Sequence, residues 1–243
     1  MIHVIRHLYR RLMRRGRLVG LAALSAVPAV VYPLIASGVL SDSELEEGYV
    51  AVVTSAGYTF AIAALVIAGA TLREERDSGT LPYIYMRPYS RLQLAIASIT
   101  AGAAAAVTLG LIAWLLTVLT GLLVGAGLSI TVPAVSLFLS AGVGYAAVFV
   151  PLGYLFSRSL LIGLGYVLVG ETILAFAIPG LAQLSIWRIA MSIYGSFQDF
   201  GIEALAALGP IAPGAGGGLA KLGVVILAGI GVLTWALRKR DAL

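Results

Sequence analysis

Residues 49–72 read YVAVVTSAGYTFAIAALVIAGATL, and residues 73–91 read REERDSGTLPYIYMRPYSR. The first stretch carries no charge over 24 residues. A helix of about 20 mostly apolar residues crosses the hydrocarbon of a bilayer. The second stretch holds Arg73, Glu74, Glu75, Arg76, Asp77, Arg87 and Arg91. So abrupt a change is that of a helix leaving lipid and a loop entering water.

The same pattern recurs along the chain. Residues 18–40, 134–156, 160–182 and 220–237 are each long and apolar enough to span. Residues 92–128 are too long for one straight span and too short for two with a turn. They are expected to form one long or tilted helix ending in a bent outer segment. With 49–72 this makes six spans in one transmembrane domain covering residues 1–243. The composition agrees: 60% of residues are hydrophobic and 11% charged, against roughly 25% charged in a soluble domain. The fold class expected is an all-α membrane protein. The apolar run 18–40 is too long for a signal-peptide core and is interrupted by Pro28 and Pro33, so it is expected to be retained.

Basic residues in short loops set orientation. With the N-terminus in the cytoplasm, 14 of the 16 Lys and Arg fall on the cytoplasmic side, and only Arg188 and Lys221 fall outside. The acidic loop with Asp42, Glu44, Glu46 and Glu47 lies outside. Six spans return the C-terminus, with Arg238, Lys239 and Arg240, to the cytoplasm. The expected location is the inner (plasma) membrane. Basic residues sorted to one membrane face do not point to nucleic acid, despite a net charge of +5.

Residues 1–17 place Val4, Ile5, Leu8, Leu12 and Met13 mostly on one helical face. Such a helix is expected to lie in the cytoplasmic interface, with its Arg residues near anionic membrane lipid. The stretch 183–219 is too polar and too broken by Gly and Pro to span. Its residues 184–200 hold Trp187, Tyr194 and Phe197 and are expected to form one or two short helices on the outer interface. Gly121 with Gly125, and Gly163, Gly165 and Gly170, are small residues that let helices approach. Pro28, Pro33 and Pro151 are expected to kink their helices.

Catalytic chemistry has little to work with. There is no Cys, and both His, His3 and His7, lie in the basic N-terminal segment. No Ser–His–Asp set or intramembrane Asp pair can form in the spans. Lys221 and Lys239 do not complete a phosphate-binding P-loop. An enzyme is not expected, nor a cofactor or metal. Glu171 is the one ionisable residue deep in a span, where a lone charge costs about 2.5–3.5 kcal/mol or more. It reads either as a proton, cation or substrate site, or as a hydrogen-bonded carboxyl joining helices through a nearby Tyr, Ser or Thr.

The loop 73–91 mixes both signs of charge with Leu81, Tyr83, Ile84, Tyr85 and Met86. Such a mixture suits docking to a protein partner. Within it stand Glu75-Arg76, Gly79-Thr80-Leu81, Pro88 and Ser90-Arg91. In these residues and their spacing, between the second and third spans, the chain resembles the permease subunits of the type-2 ABC exporters. The resemblance extends to the basic N-terminal helix, the six spans and the short outer helices before the last span. The sequence departs from the family at Pro82, more often acidic there, and in lacking a Lys soon after Arg91.

The resemblance implies that loop 73–91 is a coupling helix seated in a groove of a separate ABC ATPase. It implies a working unit of two ATPase copies and two permeases, the second permease being another copy or a homologue. ATP and Mg would sit on the ATPase. Coupling would fall to Glu75, Arg76, Gly79, Thr80, Leu81, Pro88, Ser90 and Arg91. Gly79 would permit a tight turn, Thr80 would cap the short helix that follows, and Glu75 and Arg91 would form ion pairs with the ATPase or within the loop. The apolar pathway wall suits a hydrophobic or amphipathic substrate. Two other readings remain: an ion-coupled secondary transporter using Glu171, and a non-transporting subunit anchoring a larger complex.

Overall fold

The computed structural model describes residues 1–36, 45–80, 89–174, 185–197 and 214–240. Every regular element among them is helical. In chain order they are α1 (Ile2–Leu12), α2 (Arg15–Ser25), α3 (Val27–Ala36), α4 (Leu45–Asp77), α5 (Arg91–Val124), α6 (Leu128–Thr131), α7 (Ala134–Leu155), α8 (Ser159–Gly165), a π-helical run Tyr166–Leu174, α9 (Ile186–Gly195) and α10 (Gly214–Arg240).

Five of these helices are long and apolar enough to cross a membrane: Arg15–Ala36, Gly48–Asp77, Arg91–Val124, Leu128–Leu155 and Gly214–Lys239. The first is α2 and α3 joined at a bend at Ala26, just before Pro28. The sixth span expected, 160–182, is described only as the shorter apolar helix Ser159–Glu171 and its π-helical end. Residues 175–184 lie outside the described residues. The long stretch 92–128 holds one helix of 34 residues, Arg91–Val124, that stops at Gly125. There Gly125 takes φ 103°, and the next amide, of Ala126, returns to the Gly121 carbonyl at 2.9 Å. A left-handed glycine closing a helix in this way satisfies its last carbonyls.

α4 and α7 make the middle of the bundle, with 67% of their apolar stretches buried; the other three spans are 28% buried. Without a hydrophobic drive between helices in lipid, close packing must hold them together. Glycines supply it. A Cβ on Gly153 of α7 would fall on the Gly69 carbonyl of α4, and one on Gly229 of α10 would fall on the Ala147 carbonyl of α7. Gly121 packs on Thr131 and Tyr49, and Gly163 on Leu65, whereas Gly165 faces open space. At the end of the bundle away from loop 73–91, Tyr32 meets Tyr49 edge-on at 5.4 Å and donates to the Leu45 carbonyl at 2.8 Å.

Two elements differ from expectation in what covers them. The apolar face of α1 is not left for lipid: Val4, Leu8 and Leu12 are buried in the common core. α1 leans on α5, with the Met1 amine donating to Tyr89 at 3.1 Å and the Tyr9 and Thr108 hydroxyls bonded at 3.0 Å. Its outward face carries Arg6 and Arg10, one turn apart and exposed, and the exposed Arg14 follows in the extended link to α2. α9 does not rest on a surface either. All residues from Ile186 to Tyr194 are buried, Arg188 included, among α4, α7 and α10. A helix apolar nearly all round is a buried one.

Candidate functional site

Loop 73–91 begins in a set of ion pairs. Glu75, an ionisable side chain at the edge of an apolar bundle, is 1% exposed. Arg11 of α1 meets it at 2.6 Å, and His7 Nε2 lies 3.5 Å away. The neighbouring Glu74 pairs with Arg17 of α2 and, at 3.6 Å, with Arg11. Arg11 also donates to the Glu74 carbonyl at 3.3 Å and to the Ser78 hydroxyl at 3.1 Å. On the other side Arg76 donates to the Tyr154 carbonyl at the end of α7, at 2.8 Å, and Arg73 to the Ser159 hydroxyl that starts α8, at 3.4 Å. One turn of α4 therefore binds α1, α2, α7 and α8.

The chain then turns sharply. Gly79 takes φ +68°, a left-handed conformation that a side chain would strain. Its amide bonds to the Arg76 carbonyl at 3.1 Å, and the Thr80 amide to the Glu75 carbonyl at 3.0 Å. The Thr80 hydroxyl donates to the Glu75 carboxylate. Thr80 thus bonds backward, closing α4. The helix it was expected to cap would fall in 81–88, with Leu81 and Pro88, outside the described residues. The chain resumes at Tyr89, and Ser90 caps α5. Its hydroxyl accepts the Gln93 amide at 3.2 Å while Gln93 Oε1 accepts the Ser90 amide at 3.0 Å. This reciprocal box fixes where α5 starts. Arg91 is its first residue.

Glu171 stands apart from this cluster, on the π-helical run. Its Oε1 accepts the Tyr166 hydroxyl at 2.9 Å and the Ile186 amide at 3.0 Å. Its Oε2 accepts the Ser185 hydroxyl at 2.6 Å and the Trp187 amide at 3.3 Å. Ser185 also accepts the Arg188 amide at 3.2 Å. Glu171 and Ser185 together satisfy three amides of the first turn of α9, which no helix can satisfy internally. The Tyr145 hydroxyl is buried and closes no hydrogen bond among the described residues. Among the described residues no cluster of three or more His, Cys, Asp or Glu could hold a metal ion.

Residues 13–173, two thirds of the sequence, match the family model described as ABC-2 family transporter protein. The chain belongs to the ABC-2 transporter family. No curated protein matches it. The match and the apolar helices make it a multi-pass membrane protein and a permease of that family.

In this ABC-2 permease, Glu75, Arg76, Gly79 and Thr80 come together at the end of α4, while Ser90 and Arg91 open α5. Sequence reasoning missed the partners of Glu75, which are Arg11 and His7 of α1. For Glu171 it offered a nearby Tyr, Ser or Thr as one of two readings without naming Tyr166 and Ser185, which hold it. A signal for the second was present: Ser185 with the apolar run after it reads as a helix cap.

Proposed function

We propose that this chain is the membrane-spanning permease of an ATP-driven exporter, joined to a second permease and to two copies of a separate ABC ATPase. One observation carries the reading. The root of loop 73–91 is tied at once to α1, α2, α7 and α8, and its far side opens α5 through a rigid cap. A force on the loop is therefore delivered to most of the bundle. A loop that merely linked two spans would need no such bracing.

On this reading residues 81–88 dock on the ATPase, with Leu81 and Pro88 in contact, and Arg91 pairs with it. The loop end of the bundle then faces the cytoplasm, and the protein lies in the inner membrane with both termini inside. Nucleotide-driven closure of the ATPase pair favours one bundle arrangement over another through contacts that differ between the two. ATP and Mg stay on the partner. The apolar helices suit a hydrophobic or amphipathic cargo. Ion coupling through Glu171 gains no support, because both of its oxygens are already engaged by protein donors.

The test is affinity purification of the tagged chain from its native membrane in mild detergent, with each co-purifying protein quantified. The expected result is a P-loop ATPase in equal amount, lost on Gly79→Pro or Arg91→Glu. A preparation without an ATPase, even after cross-linking, rejects the reading.

A further inference from the structure

α9 is short for a membrane element. Its 10 residues span about 15 Å, half the hydrocarbon thickness. Its ends are located by contacts. Ile186 packs where Gly144 leaves space, half-way along α7, and the Tyr194 hydroxyl donates to the Ile130 carbonyl on α6 at 2.9 Å. α9 is thus a half-helix that begins near the bilayer centre and runs to the end away from loop 73–91.

A helix this short is marginal by itself. Starting inside a bilayer, it also exposes first-turn amides where no water is available to bond them. Glu171 meets that need. The four groups that touch its carboxylate all present hydrogens to it, two on each oxygen. A cation placed there would meet the positive ends of N–H and O–H dipoles, so the arrangement is built for the helix and not for an ion. The remaining seat of α9 is cut by glycines: Gly57 under the Trp187 ring, Gly144 under Ile186, and Gly218 under Ser192 and Ile193.

We infer that Glu171 is a positioning residue, a latch that holds α9 at mid-bilayer between α4, α7 and α10. Tyr166 and Ser185 orient its carboxylate. Releasing the latch lets α9 leave its seat and opens the bundle on that side. The consequence for transport, a gate on the pathway, rests on the permease reading; the latch itself does not.

The chain has no Cys, so single cysteines report cleanly. Ser192→Cys places a thiol on buried α9, and Ala146→Cys places a control on buried α7. Each is reconstituted in lipid nanodiscs and treated with a water-soluble maleimide, without ATPase or substrate. With Glu171→Gln, labelling at position 192 is expected to rise about tenfold or more, as when a local opening gains population by loss of a buried acceptor. Labelling at 146 stays as before. Ser185→Ala and Tyr166→Phe, each removing one donor, give smaller rises; they test the latch even where Glu171→Gln does not fold. Unchanged labelling at 192 in all three variants overturns the inference. So does an equal rise at 146, which marks general loosening. Loss of ion-gradient-driven uptake with labelling unchanged makes Glu171 an ion site and overturns it also. A missing ATPase partner would sink the permease reading and leave these results untouched.

Discussion

Arg11 of α1 and Glu75 of α4 stand 2.6 Å apart, the carboxylate 1% exposed and the guanidinium side chain 21%. The pair closes the N-terminal helix onto the root of the loop proposed to dock an ATPase. A buried charge stripped of its partner is costly, more so than the pair is stabilising.

Glu75→Gln is therefore expected to destabilise the protein by roughly 1.5–3 kcal/mol, the loss of a charge-assisted hydrogen bond, because Arg11 keeps some solvent and its pair with Glu74. Adding Arg11→Gln should cost less than the two single changes summed. The measurement is a double-mutant cycle on denaturant unfolding in detergent. Strict additivity would show that the two side chains do not interact.

The contact of α4 with α7 depends on a missing Cβ. Gly153→Ala drives a methyl into the Gly69 carbonyl, which is backbone and cannot rotate away. A loss of about 3 kcal/mol is expected, as for an overpacked core. Gly165→Ala, facing open space, should change stability by less than about 0.5 kcal/mol. Equal effects in thermal unfolding would refute the packing argument.

The seat of α9 can be spoiled without touching Glu171. A Cβ at Gly57 would stand 2.5 Å from the Trp187 ring. Gly57→Ala should push α9 outward and raise maleimide labelling of Ser192→Cys, as the latch variants do. Unchanged labelling would mean that the ring finds another place within the core.

Arg6 and Arg10 on the exposed side of α1, with Arg14 in the link to α2, form a basic patch, and among the described residues none has an acidic partner. Arg14 stands just before the first apolar span, Arg15–Ala36. Each Arg near an anionic surface is worth about 1 kcal/mol. Changing all three to Gln should reduce retention of phosphatidylglycerol, but not of phosphatidylcholine, in native mass spectrometry. Equal retention of both lipids would assign the patch to something other than lipid.

Five of the expected spans were legible because a bilayer imposes one rule of length and polarity, which 49–72 obeys and 92–128 overruns; the sixth, 160–182, lies partly outside the described residues. The apolar stripe of α1 was legible too, but periodicity gives a face and not its cover; Val4, Leu8 and Leu12 pack on protein where lipid was expected. α9 misled because Trp187, Tyr194 and Phe197, set among Ser and Arg, suggested an interfacial helix, whereas the neighbours that bury it come from α4, α7 and α10. Glu171 offered two readings by type. Its choice between them lies in amides 15 and 16 residues further on, a contact that only the fold brings about. Gly79 was legible as a turn because the left-handed region is open to glycine at little cost.

The burial of α1 has a bearing on how the protein is made. α1 leaves the ribosome before its ion partners, Glu74 and Glu75, which follow only after two apolar stretches have been synthesised. Until then its apolar stripe has no protein to lie on, and the membrane surface is the one cover within reach. The amphipathic pattern thus serves two successive hosts, the nascent chain waiting on lipid and the finished chain docked on α5. Assembly of the loop root then brings α1 against α4, so the N-terminal helix is seated by the same residues that open the proposed coupling loop.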